Sequence, residues 1–139
     1  MAECIFCRIA AGAMAAEVVY EAPRALAFLD KFPSARGHTL VIPRPHAPTL
    51  LELDDEDVAA LFRAVKAVTR KVKAGLGPVG FNIGWNHGAA AGQHVFHLHV
   101  HVLPRYAEGG RGVQSVGGGG APGNLAEIAA AIRGAREAG

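Results

Sequence analysis

The segment His97–Leu103 alternates histidine with aliphatic residues and constrains the fold more than any other part of the chain. Successive side chains of a strand point to opposite faces, so this pattern predicts a strand with Leu98, Val100 and Val102 on one face and three imidazoles on the other. Histidines two positions apart on a strand lie roughly 6.5–7 Å apart, close enough to share one small anion or metal ion. Because a buried imidazole needs hydrogen-bond partners for its ring nitrogens, this row of three indicates a site and not a core.

Length, charge and cysteine content exclude several classes of protein. With 139 residues, we expect one domain over 1–139. The chain has neither the ~20 consecutive apolar residues of a membrane span nor the pattern of a signal peptide, so we expect a cytoplasmic protein without membrane contact. A net charge of +2, with the charges interspersed, argues against binding to duplex nucleic acid. Two cysteines, Cys4 and Cys7, do not make a disulfide framework, and in a reducing compartment the pair indicates metal or redox chemistry.

Short β-rich runs separated by turn residues predict an antiparallel sheet of about five strands. We expect strands at Glu17–Tyr20, Ala25–Asp30, Thr39–Ile42, Phe81–Trp85 and Val95–Leu103, the last of them closed by Pro104. The first three follow one another closely, which is typical of a meander.

Helical periodicity is clear in one long segment and weaker near the end of the chain. Apolar residues at helical spacing predict a helix from about Asp55 to Ala74, capped by Asp54 or Asp55. A glycine-rich loop at 105–123 precedes a short C-terminal helix over 124–137, where Asn124 begins a sequence that resembles a capping box. The predicted architecture is α+β, with the long helix packed on one face of the sheet.

Two chemistries suit a phosphate held against a row of histidines. Free imidazole has a pKa near 6.5, so it can act as nucleophile or as acid near neutral pH. Either one imidazole attacks phosphorus and forms a phospho-histidine, or His97, His99 and His101 hold a metal ion that activates water. Metal-dependent hydrolases with such a row carry acidic companions, whereas here no acid follows until Glu108. The covalent chemistry is favoured.

The same residues resemble the signature of the histidine triad family, in which three histidines alternate with apolar residues. The segment Gly92–Arg105 and the upstream segments Ala27–Asp30 and Gly37–His46 are similar to this family in order and spacing, so that the likeness covers roughly residues 3 to 105. The resemblance implies a nucleotide hydrolase or transferase that forms a homodimer, with the sheets of its two subunits joined.

The resemblance also implies catalytic roles for particular histidines. His99 would attack the α-phosphorus of a nucleoside phosphate derivative and form a nucleotidyl-histidine, which water would hydrolyse to the nucleoside monophosphate. His101 would hydrogen-bond the phosphate oxygens. His97, the first histidine of the triad, and His38, a fourth histidine beside it, would complete the catalytic set.

The family pattern implies a nucleotide-binding set as well. Gln93 and Asn86 would bind the phosphate together with His101, and Asp30 would accept hydrogen bonds from both ribose hydroxyls. The purine would lie against apolar side chains, which a base pocket requires. These would be Phe6, Ile9, Phe28 and Leu29, although apolar residues of this kind are ordinary core residues in the absence of the resemblance.

Cys4 and Cys7 have the spacing of metal ligands but need two further ligands for a closed tetrahedral zinc site. Some histidine triad proteins bind zinc through such a pair and two histidines, and the resemblance implies His46 and His97 as these ligands. A structural zinc there would hold His97 and stiffen the segment that carries His99. Two free thiols without a metal are the alternative.

The sequence therefore predicts a homodimeric hydrolase of purine nucleotide derivatives, most simply of nucleoside 5′-phosphoramidates, with AMP as a product. Three alternatives remain open. The first is a dinucleoside polyphosphate hydrolase, and the second is a nucleotide-binding regulatory module with weak turnover. The third is the metal-dependent enzyme described above.

Overall fold

A computed structural model describes residues 4–107 and 123–136, which form a five-stranded antiparallel sheet with helices on both of its faces. This confirms the predicted α+β architecture. The helices are α1 (Ile5–Ala10), α2 (Asp55–Leu76) and α3 (Leu125–Arg133), and the strands are β1 (Val18–Glu21), β2 (Ala25–Leu29), β3 (Thr39–Pro43), β4 (Gly80–Gly84) and β5 (Val100–Arg105). Short 3₁₀ turns occupy Leu50–Glu52 and Ala89–Ala91. Within the described residues, no helix is both long enough and apolar enough to cross a bilayer.

The strands lie in the order β1-β2-β3-β5-β4, so β5 is between β3 and β4, and β1 and β4 are the edges. The predicted meander of the first three strands is confirmed by antiparallel pairing of β1 with β2 and of β2 with β3. This order places the histidine-bearing strand inside the sheet, where backbone hydrogen bonds on both sides hold it.

Each face of the sheet carries its own apolar cluster. The larger cluster lies under α2 and α3 and contains Leu98, Val100 and Val102, as the alternating pattern predicts. The smaller cluster lies on the opposite face, under α1, and is built from Phe6, Leu26, Phe28, Leu40 and Ile42. His99 and His101 lie on this second face, beside the smaller cluster.

Helix α2 begins where predicted, because the Asp54 side chain accepts a hydrogen bond from the Asp57 backbone N–H. It extends two residues beyond the predicted end at Ala74 and stops at Gly77, whose φ of 73° is the left-handed conformation that glycine adopts readily. Gly75 lies inside the helix, where a Cβ would come within 2.6 Å of the Ala131 carbonyl oxygen. The absence of a side chain there lets α2 and α3 pack closely.

The predicted strand Val95–Leu103 is wrong at both ends. The observed strand begins at Val100, so His101 is the single triad histidine within it. Before Val100 the backbone turns toward the loop that follows β3, where the Leu98 N–H donates to the Ala47 carbonyl. At the other end the strand continues through Pro104, which lies opposite Phe81 of β4. Pairing with β3 has already ended at Val102, so the missing N–H of the proline costs no hydrogen bond on that side.

Three further differences concern the ends of the chain and β4. Helix α1 was not predicted, because six residues are too few for a periodic signal. Strand β4 runs one residue earlier than the predicted Phe81–Trp85. The C-terminal helix is shorter than 124–137, although Asn124 caps it as predicted by accepting a hydrogen bond from the Glu127 N–H. The predicted glycine-rich loop lies mostly outside the described residues.

Candidate functional site

His97 is completely buried, and both of its ring nitrogens have defined surroundings. Its Nε2 lies 2.8 Å from the Pro43 carbonyl oxygen, which can only accept, so Nε2 carries the proton. Nδ1 is therefore the unprotonated nitrogen, and it lies 3.4 Å from the Cys4 sulfur and 3.5 Å from the Cys7 sulfur. The buried histidine thus presents a lone pair to two thiols.

His99 is held in the opposite tautomer by the same kind of contact. Its Nδ1 lies 2.8 Å from the backbone carbonyl oxygen of His97, so Nδ1 carries the proton and donates it. The lone pair is then on Nε2, the nitrogen at the far end of the ring. The edge-to-face contact with Phe6, at a centroid distance of 5.1 Å, fixes the ring from one side. His99 is therefore an oriented imidazole whose Nε2 is the nitrogen available to act as a nucleophile.

His38 and His101 form a hydrogen-bonded pair beside His99. The Ser34 backbone N–H donates to His38 Nδ1 at 3.1 Å, which leaves the His38 proton on Nε2. That nitrogen lies 2.9 Å from His101 Nδ1, so His38 donates to His101 and the His101 proton is on Nε2. The ring centroids of His99 and His101 are 5.2 Å apart. The site thus presents a nucleophilic nitrogen and, next to it, an N–H donor.

Burial favours the neutral form of His38 and His101. Burial, together with the nearby rings of His38 and His99, lowers the pKa of His101 to about 4 against the opposing effect of Asp30. The pKa of His38 is also lowered, mainly by burial and also by the charge of Arg105. Neutral His101 is therefore the tautomer with its proton on Nε2, since its Nδ1 accepts the hydrogen bond from His38.

The four predicted zinc ligands come together at the start of α1. The ligand atoms of Cys4, Cys7, His46 and His97 all lie within 4.8 Å of one another. The Cys7 sulfur is 3.3 Å from His46 Nδ1 and 3.5 Å from His97 Nδ1. Zinc bonds of about 2.3 Å to sulfur and 2.0 Å to nitrogen place tetrahedral ligands about 3.5 Å apart, so the residues fit this metal.

The predicted base pocket is brought together only in part. Phe6, Ile9 and Phe28 lie in or against the smaller apolar cluster, with the Phe6 and Phe28 rings in edge contact at 5.4 Å. Leu29 belongs to the larger cluster on the other face of the sheet. Consecutive residues of a strand face opposite sides, so the structure does not place the Leu29 side chain with that of Phe28.

Asp30 lies directly after β2, next to His38. Its Oδ1 accepts a hydrogen bond from the Phe32 N–H at 2.9 Å, and its Oδ2 is 3.6 Å from His38 Nδ1. The carboxylate therefore lies at the end of the sheet face that carries Phe28 and His101.

The two predicted phosphate-binding amides have different surroundings. Asn86 is exposed, and its side-chain amide donates a long hydrogen bond of 3.4 Å to the Gly92 carbonyl. Gln93 is buried, and its amide donates to the carbonyls of Pro48 and Val95 while its oxygen accepts from the Gly88 N–H. Gln93 thus shapes the loop before the triad, and a phosphate contact would need one of these bonds to break.

A cavity of about 410 Å³ opens beside the His38–His101 pair. Its lining contains both of these histidines together with Asn86. The cavity therefore lies along β4, at the edge of the sheet next to the His38–His101 pair.

Residues 11–108 match the family model described as the HIT domain. The chain belongs to the HIT domain family. It is 44% identical over 106 residues to "Protein hit" of Bacillus subtilis, covering 76% of this chain and 73% of that protein. It is 41% identical over 102 residues to "Adenosine 5'-monophosphoramidase hnt1" of Schizosaccharomyces pombe, covering 73% and 74%. A zinc-bound histidine triad family protein of Mycobacterium smegmatis superposes with a TM-score of 0.82 at 35% identity, over 94% of this chain and 90% of that one.

Two backbone groups of this HIT domain matter to the site and were not predicted. The Pro43 carbonyl sets the His97 tautomer, and the Ser34 N–H sets that of His38. Neither contact depends on the identity of a side chain, so no residue pattern could have indicated it. Both depend on which backbone segments the fold places beside the histidine rings.

The stability of this HIT domain is expected to fall between about pH 6.5 and pH 4 through His101. The folded-state pKa lies below that of free imidazole, so the unfolded chain binds the proton more readily in this range. The contribution of neutral His101 to the free energy of unfolding is therefore complete above about pH 6.5. It is lost as the pH falls through about 4. The loss would be roughly 3 kcal/mol for a fully buried ring, and it is smaller here because solvent screens a partly exposed one.

Thermal melts of the wild type and of His101→Asn at several pH values measure this effect. The variant is expected to lose less stability between pH 7 and pH 4 than the wild type, whereas His87→Asn, at an exposed histidine, should follow the wild type. Parallel curves for all three proteins would contradict the assignment.

Proposed function

We propose that this protein hydrolyses purine nucleoside 5′-phosphoramidates through a covalent nucleotidyl-His99 intermediate and releases the nucleoside monophosphate. The observation that carries the proposal is the tautomer of His99, whose donated Nδ1–H leaves the Nε2 lone pair for attack. The phosphoramidase named among the relatives supports this substrate class.

The proposed reaction has two steps. The His99 Nε2 lone pair attacks the α-phosphorus, the bond from phosphorus to the amine nitrogen breaks, and the amine leaves with a proton from water. Water then attacks the same phosphorus, the bond from phosphorus to His99 breaks, and nucleoside monophosphate is released. The proton that this water loses neutralises the hydroxide left by the first step. The His97 carbonyl, which accepts the Nδ1–H, stabilises the positive charge on the ring, and His101 Nε2–H donates to a phosphoryl oxygen.

The nucleoside is proposed to lie over the smaller apolar cluster. Phe6, Ile9 and Phe28 offer the base an apolar wall, and Asp30 follows the same strand as Phe28, where it can accept from both ribose hydroxyls. Asn86 is exposed and lines the same cavity as His101, and it is proposed to donate to a phosphate oxygen. Gln93 is proposed to support the loop before the triad through the hydrogen bonds of its side chain to the backbone of Gly88 and Pro48.

The test is hydrolysis of adenosine 5′-phosphoramidate, followed by chromatographic detection of AMP. Turnover at a kcat of order 1 s⁻¹ or more, retained in the presence of a strong chelator, supports the covalent mechanism. Loss of turnover as large as that in His99→Ala, restored by added divalent metal, would support the metal-dependent alternative instead. Binding of AMP without turnover of any phosphoramidate would indicate the regulatory module.

The ribose contact yields its own prediction. Asp30→Ala is expected to weaken AMP binding about ten- to a hundredfold, which corresponds to roughly 1.5–3 kcal/mol for lost charge-assisted hydrogen bonds. The analogue that lacks both ribose hydroxyls should bind the variant and the wild type almost equally. Isothermal titration calorimetry with the two ligands checks this, and equal losses for both would show that Asp30 does not contact the sugar.

Cys4, Cys7, His46 and His97 are proposed to hold a structural zinc ion. Thiolate ligands favour zinc over harder ions, and four protein ligands leave no position for catalysis. The metal would hold His97, whose own carbonyl orients His99. The reduced thiols that this requires are maintained in the cytoplasm, which is the compartment we propose.

We also propose that two copies of the chain pair through β4. This strand is a sheet edge, and the neighbouring Ile83 and Trp85 side chains are 45% and 37% exposed. Unpaired edges of this kind readily join a second chain. Light scattering is expected to give the mass of a dimer, and a monomer at micromolar concentration would contradict the proposal.

A further inference from the structure

Cys4 and Cys7 are the two cysteines of the chain, and both are partly open to solvent. Cys4 is the N-cap of α1, where its sulfur accepts a hydrogen bond of 3.4 Å from the Cys7 backbone N–H. The two sulfurs lie within 4.8 Å of each other. Cα atoms one helical turn apart are about 5 Å apart, and disulfides join Cα atoms about 4.4–6.8 Å apart. A disulfide between Cys4 and Cys7 therefore requires little movement of the backbone.

Both sulfurs face the completely buried ring of His97. Its unprotonated Nδ1 lies 3.4 Å from the Cys4 sulfur and 3.5 Å from the Cys7 sulfur, so a thiol proton can satisfy this nitrogen. A disulfide has no proton to donate, and it offers a metal ion no thiolate. Formation of the disulfide would therefore leave a buried nitrogen with neither a donor nor a metal, which destabilises the oxidised form.

We propose that Cys4 and Cys7 are a site of reversible oxidation, at which hydrogen peroxide forms a disulfide that disturbs the orientation of His99. One sulfur attacks the peroxide, the O–O bond breaks, and the sulfur becomes a sulfenic acid while water leaves. The second sulfur attacks the sulfenic sulfur, the S–O bond breaks, and a second water leaves. The two thiols thus give up two electrons and two protons, and the peroxide takes them. The effect on turnover rests on the proposed function, whereas the oxidation itself does not.

Two contacts connect the sulfurs to His99. The His97 carbonyl accepts the His99 Nδ1–H, so a shift of His97 toward a new partner changes the orientation of the proposed nucleophile. Phe6 lies between the two cysteines in sequence, and its ring contacts His99 at a centroid distance of 5.1 Å and Phe28 at 5.4 Å. Movement of the first turn of α1 therefore also moves the aromatic ring against which His99 lies.

Pairing of two copies through β4 does not compete with this chemistry. The apolar cluster under α1 is built on β2 and β3, and β5 separates these strands from β4. Burial and the neighbouring Cys4 raise the pKa of the Cys7 thiol, so we expect oxidation to need a peroxide and not only air. In a reducing compartment such a disulfide would be transient, as redox-sensing disulfides are.

Mass spectrometry and metal release test the oxidation without reference to turnover. The zinc-loaded protein is treated with hydrogen peroxide and digested with trypsin without reductant, which gives a peptide ending at Arg8 that contains both cysteines. A chromogenic chelator records the released zinc. We expect a disulfide within one chain, release of zinc in proportion to it, and recovery of both thiols with a thiol reductant. Methionine sulfoxide is not reduced by that reagent, so it cannot mimic the recovery.

Comparison of three forms separates the disulfide from the simple loss of zinc. The oxidised protein is expected to have a kcat/KM for adenosine 5′-phosphoramidate at least about tenfold below that of metal-free reduced protein, in which the thiols still face His97. Cys4→Ser with Cys7→Ser cannot form the disulfide, so peroxide should leave the kcat/KM of this variant as it was before treatment.

NMR spectra of the histidine rings supply a readout that needs no substrate. The signals of His97 and His99 should differ between the oxidised and the metal-free reduced forms, whereas that of exposed His87 should not. A reversible disulfide with these shifts would support the oxidation site even if no phosphoramidate is hydrolysed. Overoxidised cysteines in place of a disulfide, a disulfide between chains, zinc retained after disulfide formation, or equal His99 signals in the two forms would overturn the inference.

Discussion

Replacement of His99 by alanine is expected to lower kcat for adenosine 5′-phosphoramidate by at least roughly 10³-fold. The variant loses the nitrogen that we propose attacks phosphorus, and His97 is not placed to replace it. The unprotonated nitrogen of His97 faces Cys4 and Cys7 at 3.4 and 3.5 Å, and its other nitrogen donates to Pro43. The His101 lone pair is likewise occupied by the His38 N–H. Single-turnover kinetics measure the loss of the chemical step.

Nucleotide binding should survive the same substitution. His99→Ala is expected to bind AMP within about tenfold of the wild type, because the lost contribution belongs to the covalent step. His87→Ala, at an exposed histidine outside the described site, controls for general effects of removing an imidazole. If His99→Ala retained more than a few per cent of the wild-type kcat, His99 would not be the nucleophile.

Removal of both thiols is expected to have the largest effect on stability. The purified protein should carry about one zinc ion per chain, and Cys4→Ser with Cys7→Ser should abolish binding. Loss of a tightly bound ion is expected to cost about 3 kcal/mol or more, which lowers the melting temperature of a chain of this size by roughly 10 °C. The sulfurs also hold α1 to His97, so α1 should loosen together with Phe6, its buried residue.

Elemental analysis and thermal melts measure these effects on protein purified without chelator and without a histidine tag. Some loss of rate is expected as well, because His97 supports His99, but it should be smaller than the loss in His99→Ala. His46→Ala removes one exposed ligand and should weaken zinc binding, whereas His87→Ala should not. Metal-free wild-type protein with full activity and an unchanged melting temperature would contradict the zinc site and leave the His99 mechanism intact.

Alternation along the chain was sufficient to predict which triad neighbours enter the core. Leu98, Val100 and Val102 all lie in the larger apolar cluster. In extended backbone, alternate side chains point to the same side whether or not the backbone is hydrogen-bonded to a neighbouring strand. The same period could not indicate where the strand begins. That depends on the loop after β3, which captures the Leu98 N–H through the Ala47 carbonyl.

Some parts of the candidate site could be predicted from the sequence, whereas others depend on how the backbone folds. The four proposed zinc ligands come together as the resemblance implied, because cysteine and histidine are distinctive residue types at distinctive spacings. The resemblance implied that Leu29 lines the base pocket together with Phe28, whereas the sheet separates these two side chains onto its two faces. The tautomers of His97 and His38 depend on the backbone of Pro43 and Ser34, so they required the folded structure.

Trapping of the covalent intermediate tests the central claim most directly. The protein is mixed with adenosine 5′-phosphoramidate, quenched in alkali within one turnover to preserve the phosphorus–nitrogen bond, digested, and mapped by mass spectrometry. The account predicts one adenylyl group on His99 in the wild type and none in His99→Ala. An adenylyl group on His97 or His101, or turnover of the substrate with no modified histidine at any time point, would contradict it.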